Sequence, residues 1–465
     1  MNHEVDTPFI DERKIEEALT NKPAPSSSQV REIFAKAIEL KGINANEVAI
    51  LSQLCDRELI SELFNTAKRV KTEIYGPRLV LFAPLYISNL CGNECTYCAF
   101  RASNRELMRR ALTQEEIAAE VRVLINQGHK RVLLVAGESS PSEGFEYVLK
   151  AVKTIYEVKS NRGEIRRINV NVAPLSIEKF RELKAVNIGT YQVFQETYHR
   201  KTYSQVHTAG KKRDYDWRLF AMDRAMQAGI NDVGIGPLLG LYDWRFEVLA
   251  MLQHIAHLEE RFGVGPHTIS VPRLEPAVGS EIAAKPPYAL SDLDFCKLVA
   301  ILRIAVPYTG IIMSTRESPE IRRTTFALGV SQISAGSRTN PAGYSEQRQE
   351  QAAQFQLGDH RSMAEVIQDV TKMGFTPSFC TACYRLGRTG RDFMDMAKPG
   401  EIKNHCDPNA LSTYLEYLLD YGDTVMQNEG EKHIAASLER MDAQQRAIST
   451  RLLEAVRSGK RDEFV

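Results

Sequence analysis

From residue 79 onward the chain alternates between two hydrophobic periods, and this alternation restricts its fold more than any other feature. Apolar runs rich in β-branched and aromatic residues fall at 79–88, 131–137, 165–172, 190–195, 231–238, 267–274, 310–315 and 330–335. Seven amphipathic stretches separate them. The first opens on Thr113-Gln114-Glu115-Glu116, and the others lie near 142–160, 176–186, 215–228, 243–262, 291–306 and 318–328. Thr113 with Glu116 is a capping box, in which each residue satisfies a free amide at the helix start. Strands alternating with helices at this spacing predict an α/β chain with a parallel sheet. Eight units predict closure into a (β/α)8 TIM-type barrel. The rival is an open barrel of six units with the last two packed alongside.

The flanking segments read differently. Residues 1–75 predict an N-terminal helical extension, interrupted at Ala24-Pro25-Ser26-Ser27-Ser28, and 76–338 predict the barrel. Gly336-Ser337-Arg338-Thr339-Asn340-Pro341 marks the exit into a mainly helical C-terminal subdomain over 339–465. There a second capping box, Ser362-Met363-Ala364-Glu365, opens a helix that runs to Lys372. Basic and acidic residues balance at 59 each, so neither a nucleic acid nor an anionic membrane is an expected partner. No apolar run approaches the ~18 residues of a membrane span. The acidic opening Met1-Asn2-His3-Glu4-Val5-Asp6 lacks the apolar core of a secretory signal. A cytoplasmic location is the expectation.

Six of the eight cysteines fall into two clusters, which suits metal ligation in a reducing compartment rather than disulfides. Cys55 and Cys296 lie in helical patterns and read as ordinary buried thiols. Cys91, Cys95 and Cys98 follow directly on the first strand in the spacing CxxxCxxC. Three thiolates hold three irons of a 4Fe-4S cluster and leave the fourth open, whereas pure electron carriers usually supply four. Zinc is the alternative, but its sites pair CxxC with a distant partner, and none lies near Cys91. The motif, with aromatic Tyr97 before its last cysteine, resembles the radical S-adenosylmethionine (SAM) superfamily. There the open iron chelates the amine and carboxylate of SAM, and one electron cleaves the sulfonium to a 5′-deoxyadenosyl radical. The resemblance places Tyr97 among the SAM contacts.

Barrel enzymes carry reactive groups on the loops that follow the strands. The second strand ends Val135-Ala136-Gly137-Glu138, where Glu138 can accept a hydrogen bond from an ammonium group and Gly137 permits close backbone approach. In the superfamily a GGE-type motif here binds the amine of SAM; this chain has Ala136 for the first glycine. The fourth strand ends Phe194-Gln195-Glu196-Thr197-Tyr198-His199 and the sixth Pro272-Arg273-Leu274-Glu275. Arg273 suits the SAM carboxylate, and Glu196 is a further SAM candidate. Each charge alone reads equally as a surface ion pair; their placement at successive strand ends argues for a site. The seventh strand ends Met313-Ser314-Thr315-Arg316-Glu317-Ser318. An Arg with flanking hydroxyls at a barrel mouth suits an amino-acid carboxylate; an Arg capping the rim is the plainer reading.

The second cysteine set is Cys380, Cys383 and, after twenty-two intervening residues, Cys406. Its spacing predicts a second cluster with one open iron. A structural zinc site with His405 as fourth ligand is the alternative, weakened because adjacent residues ligate one metal poorly. The stretches Gln195-Glu196-Thr197-Tyr198-His199, Gly234-Ile235-Gly236 and Ser314-Thr315-Arg316-Glu317 resemble the tyrosine-lyase branch of radical-SAM enzymes. Cys380-Thr381-Ala382-Cys383-Tyr384-Arg385 with Gly387-Arg388-Thr389-Gly390 and Cys406 resembles, within that branch, the tyrosine lyases that mature FeFe-hydrogenases.

The resemblance implies a set of roles. L-Tyrosine, held by Arg316 with Ser314 nearby, is split at Cα–Cβ into p-cresol and dehydroglycine. Dehydroglycine reaches the second cluster and breaks down to carbon monoxide and cyanide. These collect on an extra iron ion held with a free cysteine, for delivery to a hydrogenase-maturation scaffold protein. The matching position for a histidine ligand to that iron is His267. Cofactors are two 4Fe-4S clusters and SAM, reduced by an electron donor.

The layout adds its own expectation. Cys91 follows the end of strand one and His267 opens strand six. These are opposite ends of a parallel barrel, on the order of 20 Å apart for eight residues at ~3.3 Å each. Two reaction sites joined along the barrel axis would need an interior without bulky side chains in every layer, unlike the usual packed core. Two other functions stay in view. The thiamine-pathway tyrosine lyase (2-iminoacetate synthase) lacks the second cysteine set. A non-catalytic iron–sulfur carrier would not need the open iron or the charged strand ends.

Overall fold

The computed structural model describes residues 8–20, 25–139, 141–346 and 350–465. The acidic start of the chain, Met1 to Asp6, and Ala24 of the expected break lie outside these residues. Eight parallel strands close on themselves: β1 (Arg78–Ser88), β2 (Arg131–Ala136), β3 (Arg167–Asn171), β4 (Tyr191–Gln192), β5 (Val233–Ile235), β6 (Thr268–Ser270), β7 (Gly310–Met313) and β8 (Gln332–Ser334). Each pairs with the next in sequence, and β8 returns to β1 through Leu81 opposite Ile333. The closed eight-stranded barrel therefore holds, and the open six-unit form does not.

Parity explains the long first strand. Leu79, Leu81, Ala83, Leu85 and Ile87 are fully buried against the helical layer, while Phe82, Pro84 and Tyr86 line a cavity within the barrel. Alternate side chains of a strand face opposite sides, and a parallel barrel buries both. The helices between strands begin where the sequence supplies caps. Thr113 and Glu116 form the expected capping box before Gln114–Asn126. Ser176, Asp243, Ser291 and Ser318 each accept a backbone N–H at the start of a helix.

Several elements differ from expectation. The stretch 215–228 forms two short helices, Tyr215–Leu219 and Ala221–Gln227, meeting at Phe220. Strand β6 spans three residues rather than eight, because Pro272 and Pro266 flank it and offer no amide hydrogen to a neighbour. Cys55 is exposed, not buried. Asp56 caps the helix Arg57–Tyr75, so Cys55 stands outside the helical pattern on the connecting turn. Cys296 is buried within Asp292–Ala305, as expected.

A ninth strand, β9 (Thr376–Ser378), has no counterpart in the sequence reading. It pairs in parallel with Arg78, Leu79 and Val80 at the start of β1. Strand β2 occupies β1 only from Ala83 upward, so β9 fills the edge left free below. This pairing draws the chain that follows, with Cys380 and Cys383, under the barrel. The helix Lys403–Tyr421 packs against β9 and carries Cys406 in its first turn. Helices Thr424–Arg440 and Ala443–Arg457 complete this layer. No described helix is long and apolar enough to cross a membrane.

Candidate active site

At the C-terminal ends of the strands, Cys91, Cys95 and Cys98 line one cavity together with Tyr97, Glu138, Glu196, Ser314 and Arg316. The cysteine loop is held by backbone pairing and by the side chains of Asn93, Glu94 and Tyr97. Glu94 and Cys95 pair antiparallel with Ala209 and His207, and the Thr96 amide donates to the Val206 carbonyl at 2.9 Å. Arg109 braces the loop from outside, donating to the carbonyls of Asn89 at 3.0 Å and Phe100 at 2.7 Å. Burial raises the Cys98 thiol to about 11 and the Cys95 thiol further, so binding a metal would release their protons. The Tyr97 hydroxyl hydrogen-bonds His207 Nε2 at 2.8 Å, which fixes its ring in the cavity wall.

Glu138 ends β2 where expected. A Cβ on the preceding Gly137 would lie 2.2 Å from the Leu90 carbonyl oxygen, so only glycine lets the cysteine loop pass. The Glu138 carboxylate accepts from Arg218 Nη1 and Asn93 Nδ2, both at 2.8 Å. Burial pushes its pKa up, but Arg218 and Lys212 outweigh that and hold it below the usual carboxylate value. Glu196 has φ of 70° and accepts from Lys212 Nζ at 2.5 Å. Arg218 and Lys212 were not legible in the sequence. The only signal is the basic run Lys211-Lys212-Arg213 after Gly210, which no spacing rule ties to the cysteines.

Arg273 does not line this cavity, which corrects its expected part in holding a SAM carboxylate. Pro272 and Leu274 face inward, so Arg273 points outward. There Glu317 takes its Nε and Nη2, Asp292 its Nη1 at 2.7 Å, and the Phe295 ring lies beneath it. Glu275 lines the cavity instead, and burial beside Glu317 raises its pKa to about 7. Arg316 is the opposite case. It is partly buried, rests 3.3 Å from the Phe355 ring centre, and donates only weakly to the Arg273 carbonyl at 3.4 Å. Among the described residues no carboxylate pairs with it. Ser314 stands beside it, its Oγ accepting the Arg316 amide at 3.3 Å.

A second cavity lies at the other end of the barrel. Cys380, Cys383, Cys406 and His267 line it, with Arg78, Arg131, Tyr384 and Phe393. His405 is not among the lining residues. His267 stays neutral because burial lowers its pKa. Its Nε2 lies 3.3 Å from the Tyr384 hydroxyl, while Nδ1 has no hydrogen-bond partner. Nε of Arg131, Nε and Nη2 of Arg167, and Oδ2 of Asp232 are also buried without partners. Such groups normally find partners, so this end of the barrel is prepared for a polar ligand. No three described His, Cys, Asp or Glu side chains converge on one point as a single ion requires. A four-iron cube instead presents separate corners to separate thiolates, and three cysteines around each cavity fit that donor chemistry.

The two cavities nearly meet. Val80, Arg131, Gly310 and Gln332 line the lower one, and Phe82, Leu133, Ile312 and Ser334 line the upper one. Each pair stands two residues apart on one strand, a rise of ~7 Å. Between them sit Gln192 and Thr268, hydrogen-bonded at 3.4 Å, and Gly234. A Cβ on Gly234 would lie 2.6 Å from Thr268 Oγ1 and 2.7 Å from Gln192 Cγ. This layer is small and polar where barrels usually place Val, Ile and Leu.

The chain matches two family models: the Radical SAM superfamily over residues 85–253, and the Biotin and Thiamin Synthesis associated domain over residues 270–376. It is 31% identical to the 2-iminoacetate synthase of Salmonella typhimurium over 343 residues, 74% of this chain and 88% of that protein. Among solved structures, it superposes on HydG, a maturase of the [FeFe]-hydrogenase, with a TM-score of 0.94 and 49% identity, covering 98% of this chain and 100% of that one. It also superposes on the FeFe-hydrogenase maturase HydG from Carboxydothermus hydrogenoformans with a TM-score of 0.83 and 39% identity, covering 95% and 97%.

Proposed function

Because the chain belongs to the radical SAM superfamily, and within it to the family of the HydG maturases, we propose that it cleaves L-tyrosine and converts the amino-acid fragment into iron-bound carbon monoxide and cyanide. The observation that carries this reading is the pair of three-cysteine cavities set at opposite ends of one barrel and parted by a single thin layer. A 4Fe-4S cluster on Cys91, Cys95 and Cys98 with SAM would supply a hydrogen-abstracting carbon radical.

The chain's own residues then account for the rest. Glu138 and Glu196 face the cluster loop and suit the cationic parts of SAM, while Tyr97 forms the wall beside them. Arg316 and Ser314 orient the tyrosine carboxylate. A guanidinium held on an aromatic face without a carboxylate partner gains most from a ligand that brings one. Dehydroglycine, small and anionic, fits the glycine- and amide-lined layer below, where Arg131, in the wall of the lower cavity, has an unpartnered Nε–H. Cys380, Cys383 and Cys406 would hold the second cluster, and neutral His267 would ligate the iron that carries the product with free cysteine. The three-part division at residues 75 and 338 follows the same reading.

The test is anaerobic turnover with SAM, dithionite and tyrosine, quantifying p-cresol, carbon monoxide and cyanide together. All three should form. Cys380→Ala with Cys383→Ala should retain p-cresol and abolish carbon monoxide; survival of carbon monoxide would refute the role of the lower cavity. A second reading, 2-iminoacetate synthase, is favoured by the 31% identity to that enzyme and would give p-cresol without cyanide.

A further inference from the structure

Beside the cysteine loop, outside the upper cavity, runs an open groove of about 1200 Å³ between the ends of β2 and β3 and the turn at residues 210–217. Its floor includes Gly92, the residue after Cys91. Gly92 is exposed, and nothing lies within 4 Å of where its Cβ would be. The loop that would carry the reducible cluster therefore meets solvent here.

The walls are basic. Lys179, Lys211 and Arg213 line the groove and are exposed. None of the three forms an ion pair among the described residues, although exposed Arg31 elsewhere in the chain pairs with Glu62 and half-buried Arg200 with Asp216. Two acids line the groove. Asp214 is used as a helix cap, accepting the Trp217 amide at 2.9 Å. Glu138 is neutralised by Arg218 in the wall shared with the upper cavity. Trp217 stands on the rim, 38% exposed, with Arg224 stacked on its ring at 3.6 Å.

We propose that this groove is the docking site of the electron donor, an acidic, low-potential one-electron protein. This rests on the cluster assigned above to Cys91, Cys95 and Cys98. In the docked pair one electron passes from the reduced donor to the cluster, which gains one negative charge as the donor is oxidised; no bond is made or broken. The charge pattern distinguishes this partner from the small molecules. SAM carries a net positive charge and tyrosine none, so three unpaired cations repel the first and do nothing for the second. They attract a protein with a carboxylate-rich face, and complementary charge raises encounter rates by 10- to 1000-fold at low salt. An exposed Trp at the rim is the kind of side chain that anchors such contacts.

The experiment reverses the three charges, Lys179→Glu, Lys211→Glu and Arg213→Glu, in the reconstituted full chain. 5′-Deoxyadenosine formation is measured with two reductants: photoreduced flavodoxin, which is acidic, and dithionite. The expected result is at least a tenfold loss with flavodoxin at low salt and an unchanged rate with dithionite. The wild-type flavodoxin rate should itself fall steeply as salt rises through the range where the screening length shrinks below ~10 Å. An unchanged flavodoxin rate in the variant would overturn the proposal. A dithionite rate that falls with a raised KM for SAM would also overturn it, and would make the groove a small-molecule portal. Absence of 5′-deoxyadenosine from the wild-type chain with dithionite would overturn both this proposal and the cluster reading beneath it.

Discussion

Gln332 lines the cavity of the tail cysteines, and Ser334, two residues along the same strand, lines the cavity of the barrel-mouth cysteines. One strand thus carries both sites. The separation is a single side-chain layer, in which Gly234 has no side chain and Thr268 a short one, and Gly310 lies at its lower edge.

That relationship predicts the effect of filling the layer. A Cβ at Gly310 would stand 3.2 Å from Gln332 Nε2, close but without meeting backbone nearer than 3.3 Å. Gly310→Leu should fold with an overpacking cost of about 1–3 kcal/mol. It should leave p-cresol formation within about twofold of wild type, because Gly310 does not line the upper cavity, which keeps all its lining residues. Carbon monoxide and cyanide should fall at least tenfold, and glyoxylate, the hydrolysis product of trapped dehydroglycine, should accumulate. Chromatographic quantification of all four products checks this.

Arg316 predicts a separable loss. Hydrogen bonds to a charged group contribute about 1.5–3 kcal/mol, which is ~10- to 150-fold in kcat/KM. Arg316→Lys keeps the charge but loses the planar fork, so kcat/KM for tyrosine should drop within that range. Uncoupled cleavage of SAM in the absence of tyrosine should persist, since Glu138 is held by Arg218 and Asn93 and not by Arg316. Steady-state assays over tyrosine concentration would show it.

The elements that sequence made legible share a physical property: their signal is local. The eight strands are apolar runs bounded by polar helix caps, and Cys91, Cys95 and Cys98 are spaced within one loop. The features that escaped are set by distant pairing. Strand β9 is three residues long, contains Pro377, and acquires its place only because Arg78 to Val80 leave an edge free. Arg218 reaches Glu138 from a different βα unit, and Lys212 folds back on Glu196 from 16 residues further along the same irregular connection. Arg273 was misplaced because the register at a short, proline-flanked strand end depends on neighbours, and one residue of slip turns a side chain from cavity to exterior.

His267 predicts a change in metal content rather than in radical chemistry. Its neutral ring, with Nδ1 free of hydrogen bonds and 3.7 Å from Asp232, makes it a ready ligand within the cavity of Cys380, Cys383 and Cys406. His267→Ala should retain both clusters and normal p-cresol output while losing about one iron per chain. Iron analysis after anaerobic reconstitution, with the reduced spectrum of the second cluster, separates this from a folding defect.

Glu247 predicts a pH dependence of stability that no part of the site explains. Its carboxylate lies fully buried in the helix Trp244–Phe262, accepting from Thr197 Oγ1 at 2.5 Å and the Tyr198 amide at 2.8 Å. Burial raises its pKa to about 8 in spite of these two donors. A carboxyl whose pKa is higher in the folded than in the unfolded chain binds a proton on folding. This contribution is therefore fully present below the unfolded value near 4.3, declines as pH rises, and is gone above about 8. The loss is at most about 5 kcal/mol. Glu247→Gln has no proton to lose. Its thermal midpoint should change less between pH 6 and pH 8.5 than that of the wild-type chain, and at pH 8.5 it should be the more stable of the two. Parallel declines in calorimetry would show that Glu247 is ionised in the fold, and that the Thr197 and Tyr198 donors outweigh its burial.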